Sequence, residues 1–216
     1  MLQNTDLLLL QARLDEAGAQ GFHAACEAAN SAARQRWPAS HVQRTAWSPD
    51  TGDAYGYLVL PARQSMHGTA LQPVLDAFSL ALPADALARV SRLERAFERS
   101  GASLDERPSF HYVVEMDPED GWREELLRWY DSEHMPGLAS VPGCVRAARL
   151  LNHDHGPLSL ACYDLVSQET LGSPPWLAVR ASAWSSRVRP HFTNTRRTMC
   201  RTLGLQAPAV PPVVLV

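Results

Sequence analysis

A chain of 216 residues with 45% apolar side chains is long enough to build one packed domain or two small ones. Its formal charge is only -3, and no run of Lys and Arg marks a face, so nucleic acid and polybasic membrane attachment lack an electrostatic source. The four cysteines, Cys26, Cys144, Cys162 and Cys200, form no C-x-x-C pair, which speaks against a zinc ribbon or dithiol centre and predicts reduced, buried thiols in a cytoplasmic protein.

The short apolar run Leu7-Leu8-Leu9-Leu10 has no basic region before it and meets Gln11, Arg13, Asp15 and Glu16 at once. It reads as part of a first strand, Asp6 to Leu14, not as a signal peptide or a spanning helix. Phe22, Cys26, Ala29 and Ala33 then recur at helical spacing from Ala17 to Trp37, with Pro38 as the stop. His41 to Trp47 and Tyr55 to Leu60 flank the turn Ser48-Pro49-Asp50-Thr51-Gly52-Asp53 and predict a hairpin. Leu71, Val74, Leu75 and Phe78 predict a second helix with Pro73 in its first turn, and Ala88 to Phe97 a fourth strand.

The same β-α-β-β-α-β order recurs after Pro108. Phe110 to Met116 is a strand, Asp120 to His134 a helix, Cys144 to Leu151 and Leu158 to Val166 a hairpin; Ser173-Pro174-Pro175 opens a second helix, and a last strand lies near Arg196 to Leu203. Gly21-Phe22 and Gly121-Trp122 open corresponding helices that Pro38 and Pro136 close, a repeat at about a hundred residues. The expected organisation is therefore a degenerate first repeat over 1–104, linked through Ser100-Gly101-Ala102-Ser103 to a second over 105–207, and an extended Pro-rich tail over 208–216. Each half makes an antiparallel sheet with helices on one face and an apolar face in need of cover. The fold class is α+β, two ferredoxin-like βαββαβ repeats whose sheets pack face to face as a barrel within one chain.

The run Trp129-Tyr130-Asp131-Ser132-Glu133-His134-Met135-Pro136, followed by Val141-Pro142-Gly143, resembles the EthD-like branch of the dimeric α/β-barrel superfamily, in which a helix ending in W-Y-x-x-E-H-x-P precedes a V-P-G turn. The resemblance spans roughly residues 108 to 204. In the first half, Ala32-Ala33-Arg34-Gln35-Arg36-Trp37-Pro38 stands where the motif belongs and has no Glu-His pair, so the resemblance implies a fused pseudo-dimer with one site kept. It also implies a small-molecule protein without metal or organic cofactor, of a kind linked to catabolism of aromatic or xenobiotic compounds or to polyketide tailoring. Relatives in the wider superfamily include lactone isomerases and cofactor-independent monooxygenases.

On one helix Leu126, Trp129, Tyr130, Glu133 and His134 share a face, so a buried stripe runs into an acid and an imidazole. If Met135-Pro136 ends the helix there, free carbonyls and Glu133 favour the imidazolium while the aromatics oppose it, and His134 is expected to titrate near neutrality as a general acid or base. Trp129 and Tyr130 are the expected walls of a cavity, and Asp131 is expected to face water. His111 alternates with Val113 and Glu115 on a strand whose other set is Phe110, Tyr112, Val114 and Met116; it meets the cavity if its set lines the barrel. His191 and Asn194 are candidate donors to a bound oxyanion, and Arg149 a candidate carboxylate partner. His153-Asp154-His155 lacks further ligands at metal spacing.

The preferred expectation is an enzyme on a hydrophobic, oxygenated small molecule, with His134 moving a proton in an isomerase, lyase or cyclase step and Glu133 orienting the ring. The alternatives are a cofactor-independent monooxygenase and a non-catalytic ligand-binding or stress-related barrel. Neither nucleic acid nor membrane is expected as a partner, and two fused barrels could pair as a homodimer.

Overall fold

The computed structural model describes residues 1–204; the expected tail over 208–216 lies outside them. The first half runs β1 (Gln3–Arg13), α1 (Glu16–Arg34), β2 (His41–Trp47), β3 (Asp53–Met66), α2 (Gln72–Leu80) and β4 (Arg89–Ser100). The second runs β5 (Phe110–Pro118), α3 (Arg123–Trp129), a π turn (Tyr130–His134), α4 (Met135–Ala139), β6 (Cys144–Asn152), β7 (Ser159–Leu165), α5 (Pro174–Arg180), α6 (Ala183–Val188) and β8 (Phe192–Leu203).

All strand pairings are antiparallel, in the closed order β1-β3-β2-β8-β5-β7-β6-β4. The expected packing of two sheets face to face is therefore completed by backbone pairing at both edges. β4 runs along β6 from Leu93 opposite Asn152 to Ser100 opposite Arg146, and β2 meets β8 from Thr45 opposite Leu203 to Trp47 opposite Arg201. Among the described residues closure leaves no edge strand exposed.

The Leu7–Leu10 run is apolar on both faces because both faces are covered. Leu8 and Leu10 pack with Phe22, Cys26 and Phe78 under α1 and α2, while Leu7 and Leu9 point into the barrel with Tyr55, Tyr57, Val113, Leu160 and Cys200. A third cluster lies between the second sheet and its helices, built on Tyr112, Trp129, Tyr130, Met135, Tyr163 and Trp176. All four cysteines are free and buried.

The Ser100–Ser103 segment is pinned, contrary to a plain linker. Gly101 N–H donates to Val145 O at 2.8 Å, Ala102 N–H to Ala139 O at 2.8 Å, and Ser103 N–H to Cys144 O at 2.9 Å. A Cβ on Gly101 would sit 2.0 Å from Cys144 O, so only glycine lets the chain pass this close to β6. Asp154, in the His-Asp-His turn, is committed to Arg92 through bonds of 2.7 and 3.0 Å. Among the described residues no helix is long and apolar enough to cross a membrane.

Candidate active site in the second half

Pro136 does not stop the helix, as the sequence led us to expect; α3 passes through the π turn into α4, which ends at Ala139. A proline cannot donate to the carbonyl four residues back and its ring crowds that carbonyl. The chain absorbs both effects by widening, and the Met135 N–H reaches back five residues to Tyr130 O. This insertion also places the histidine. In an unbroken α-helix His134 would stand about 140° around the axis from Trp129. In the wider turn residues five apart share a face, and the His134 ring stacks on Trp129 with centroids 4.2 Å apart and planes 24° apart.

His134 is only 8% exposed. The helix continues past it to Ala139, so His134 does not stand at a helix C-terminus. Glu133 is turned away and accepts a 2.5 Å hydrogen bond from Ser182 Oγ, which in turn caps α6 by accepting from Ser185 N–H. Burial, and then the guanidinium groups of Arg189 and Arg180, push the His134 pKa down to about 3. The expectation of titration near neutrality is thus corrected: the imidazole is neutral throughout the physiological range. Its Nδ1 is buried without a hydrogen-bond partner, as are the indole N–H groups of Trp129 and Trp176.

These three nitrogens belong to side chains that line one cleft, with Tyr112, Val114, Tyr130, Leu138, Tyr163, Phe192, Arg180, Arg189 and Arg197 forming the rest of its wall. The expected hollow is narrow. Its cavity volume is about 30 Å³, room for a water or a small polar group, and the cleft opens to solvent. Trp176 arrives on α5, whose first turn holds Pro174 and Pro175; the Ser173 hydroxyl, an expected cap, makes no capping bond.

The remaining candidates are dispersed. His111 belongs to the barrel-facing set of β5, while Tyr112, Val114 and Met116 face the helices, so the sheet separates it from His134. It is 1% exposed, with Nδ1 2.7 Å from Asp164 Oδ1 and Nε2 2.9 Å from Tyr57 OH. The carboxylate requires Nδ1 to carry the proton, so Nε2 accepts from the tyrosine. Burial, then Arg44 and Arg146, drive its pKa well below the ordinary value. The space beside it is about 10 Å³, less than a ligand needs. Asp164 also pairs with Arg44 and, at 3.0 Å, with Arg146. At the other end of the barrel Tyr55 OH donates to Glu115 at 2.8 Å, and Arg196 Nε donates to the same carboxylate at 2.6 Å.

His191 stacks on Trp122 with centroids 3.4 Å apart and holds Glu119 at 2.6 Å. Asn194 donates to Asp117 at 2.9 Å. Neither lines the cleft. Arg149 already has a carboxylate, Asp131, which thereby leaves the expected role of a freely solvated side chain. The sequence reading missed Arg180, Arg189 and Arg197. They stand on α5, after α6 and on β8.

No protein-family model matches the chain, and no curated protein matches it by sequence. Solved structures match its fold. A Lactobacillus acidophilus NCFM protein provisionally named a monooxygenase superposes with a TM-score of 0.62 at 11% identity, over 93% of this chain and 94% of that one. An anthrone oxidase-like protein gives 0.58 at 14% identity, over 94% and 95%. A protein provisionally named a chlorite dismutase gives 0.55 at 12% identity, over 94% and 96%. At such identities the likeness carries the fold alone and leaves chemistry to the residues.

Proposed function

We propose that this chain is a cofactor-free small-molecule enzyme in which neutral His134 takes a proton from an aromatic, oxygenated substrate held in the cleft, and that it works as a monooxygenase. The observation that carries the reading is the buried imidazole, stacked on Trp129, with an unpartnered ring nitrogen at an aromatic-walled cleft. A neutral imidazole is in the protonation state that a base requires. Trp129 and Tyr130 form the floor; Glu133 positions the α5–α6 junction through Ser182 and so acts on the site indirectly.

In the oxidative form of the reaction the base removes a proton from a ring-activated CH₂ and the carbanion reduces O₂. The hydroperoxide formed loses water to leave a carbonyl, so that R₂CH₂ and O₂ become R₂C=O and H₂O with the substrate as the only reductant. The names of two fold neighbours, a monooxygenase and an anthrone oxidase-like protein, favour this outcome over the isomerase, lyase or cyclase that the same proton transfer would serve without oxygen. We also read the two halves as tandem ferredoxin-like repeats over 1–104 and 105–207, the second EthD-like, since the strand-helix order recurs and the Trp129–Pro136 motif lies on the site helix.

Anthrone in buffered D₂O, with oxygen uptake followed at an electrode and deuterium exchange by NMR, tests the reading. Uptake of one O₂ per carbonyl formed, lost at least a hundredfold in His134→Gln, supports it; exchange without uptake reassigns it to the non-oxidative class. Neither uptake nor exchange above the buffer rate, or both undiminished in His134→Gln, removes the enzyme and leaves a binding barrel.

A further inference from the structure

We propose that the mouth of the His134 cleft is an anion subsite, and that it takes the carboxylate of an aromatic acid among Arg180, Arg189 and Arg197. The inference rests on reading this cleft as the substrate site, and it names the class of substrate.

Among the described residues, half-buried Arg180 and Arg189 and exposed Arg197, from three separate elements, line the cleft, no acidic residue does, and none of the three makes an ion pair. Five arginines elsewhere in the molecule are paired with acids. Arg149 has Asp131, Arg92 has Asp154, Arg44 and Arg146 share Asp164, and Arg196 holds Glu115. The cleft arginines repel one another instead. Desolvation, and then Arg180 and Arg197, lower the pKa of Arg189. Convergence of like charges without an acid is a cost that an incoming anion cancels.

The second observation is independent of charge. Trp129 and Trp176, 0% and 1% exposed, each bury an indole N–H that nothing accepts, at the same cleft. An indole N–H can only donate, so the missing ligand atom is an acceptor. Tyr112, Trp129, Trp176 and Phe192 also line the cleft and offer aromatic faces to the ring of a ligand whose anionic group meets the arginines. A planar aromatic carboxylate meets all three conditions.

Benzoate, its neutral isostere benzamide and inorganic phosphate, titrated into the whole protein and followed by tryptophan fluorescence and calorimetry, test this. Benzoate is expected to bind at least tenfold more tightly than either of the others. Arg189→Gln and Arg180→Gln should each weaken benzoate at least tenfold with an unchanged melting temperature, while Arg128→Gln, on the outer face of α3, should not weaken it. Equal binding of benzamide, preference for phosphate, or indifference to both cleft substitutions overturns the inference. Because no turnover is measured, arginine-dependent benzoate binding beside an inert His134 would sink the enzyme and keep the subsite. Turnover of neutral substrates without benzoate binding would do the reverse.

Discussion

Asp131, on the π turn, grips Arg149 of β6 with two hydrogen bonds, 2.9 Å from Nε and 2.8 Å from Nη2, and ties the helix that carries His134 to the sheet beneath it. The guanidinium is 2% exposed and the carboxylate 39%, so most of the desolvation falls on the cation. Asp131→Ala leaves that cation buried and unpaired, at a cost of about 3 kcal/mol. For a chain of this length the melting temperature should then fall by about 6–12 °C. Adding Arg149→Met to that variant removes the stranded charge and should restore most of the loss, which thermal melts of the single and double variants can read.

Much of the arrangement was legible beforehand, and the failures have physical causes. β2 spans His41–Trp47 and β5 starts at Phe110, as the apolar and β-branched runs beside their turns placed them. Alternation divided β5 into a His111 set and a Tyr112 set but could not say which faced the helices, since both sets are buried. Pro136 was read as a stop because the rule for proline assumes α-geometry; the π turn evades that rule, and nothing in Tyr130–His134 announces it. Arg180, Arg189 and Arg197 were invisible as a group, for they come together only once the fold brings α5, the turn after α6 and β8 to one cleft.

The pH dependence of stability follows from His134. Its folded pKa of about 3 lies below the ordinary 6.5 of an imidazole. As pH falls, the unfolded chain binds the proton first, so the stability of burying a neutral ring is complete above pH 6.5 and drains away toward pH 3. At pH 5 the loss is about 2 kcal/mol. His111, lowered by burial and by Arg44 and Arg146, acts in the same direction. Urea melts at pH 7 and pH 5 should show this decline, and His134→Gln should flatten it; an unaltered slope would mean the ring titrates normally.

Activity should carry the same signature. With the free-enzyme imidazole neutral down to about pH 3, kcat/KM should show no acid limb from His134 between pH 5 and 8. A limb near 6.5 that disappears in His134→Gln would contradict the geometry described above.

Gly101→Ala tests the pinned junction. The new methyl meets Cys144 O, a backbone atom held by Ser103 N–H, so neither side can yield freely. A loss of about 3 kcal/mol is expected, whereas Gly21→Ala, where a Cβ meets nothing within 4 Å, should leave denaturation unaltered or raise its midpoint.

The seam between β2 and β8 joins Thr45 to Leu203. During synthesis β2 leaves the ribosome long before β8 exists, and its outer row of amides and carbonyls must wait for that strand. Until β8 arrives, the nascent chain is an open curl of sheet able to accept a strand from any neighbouring molecule. Overproduction that outruns this last step should therefore send the protein into inclusion bodies, and slower translation should rescue it.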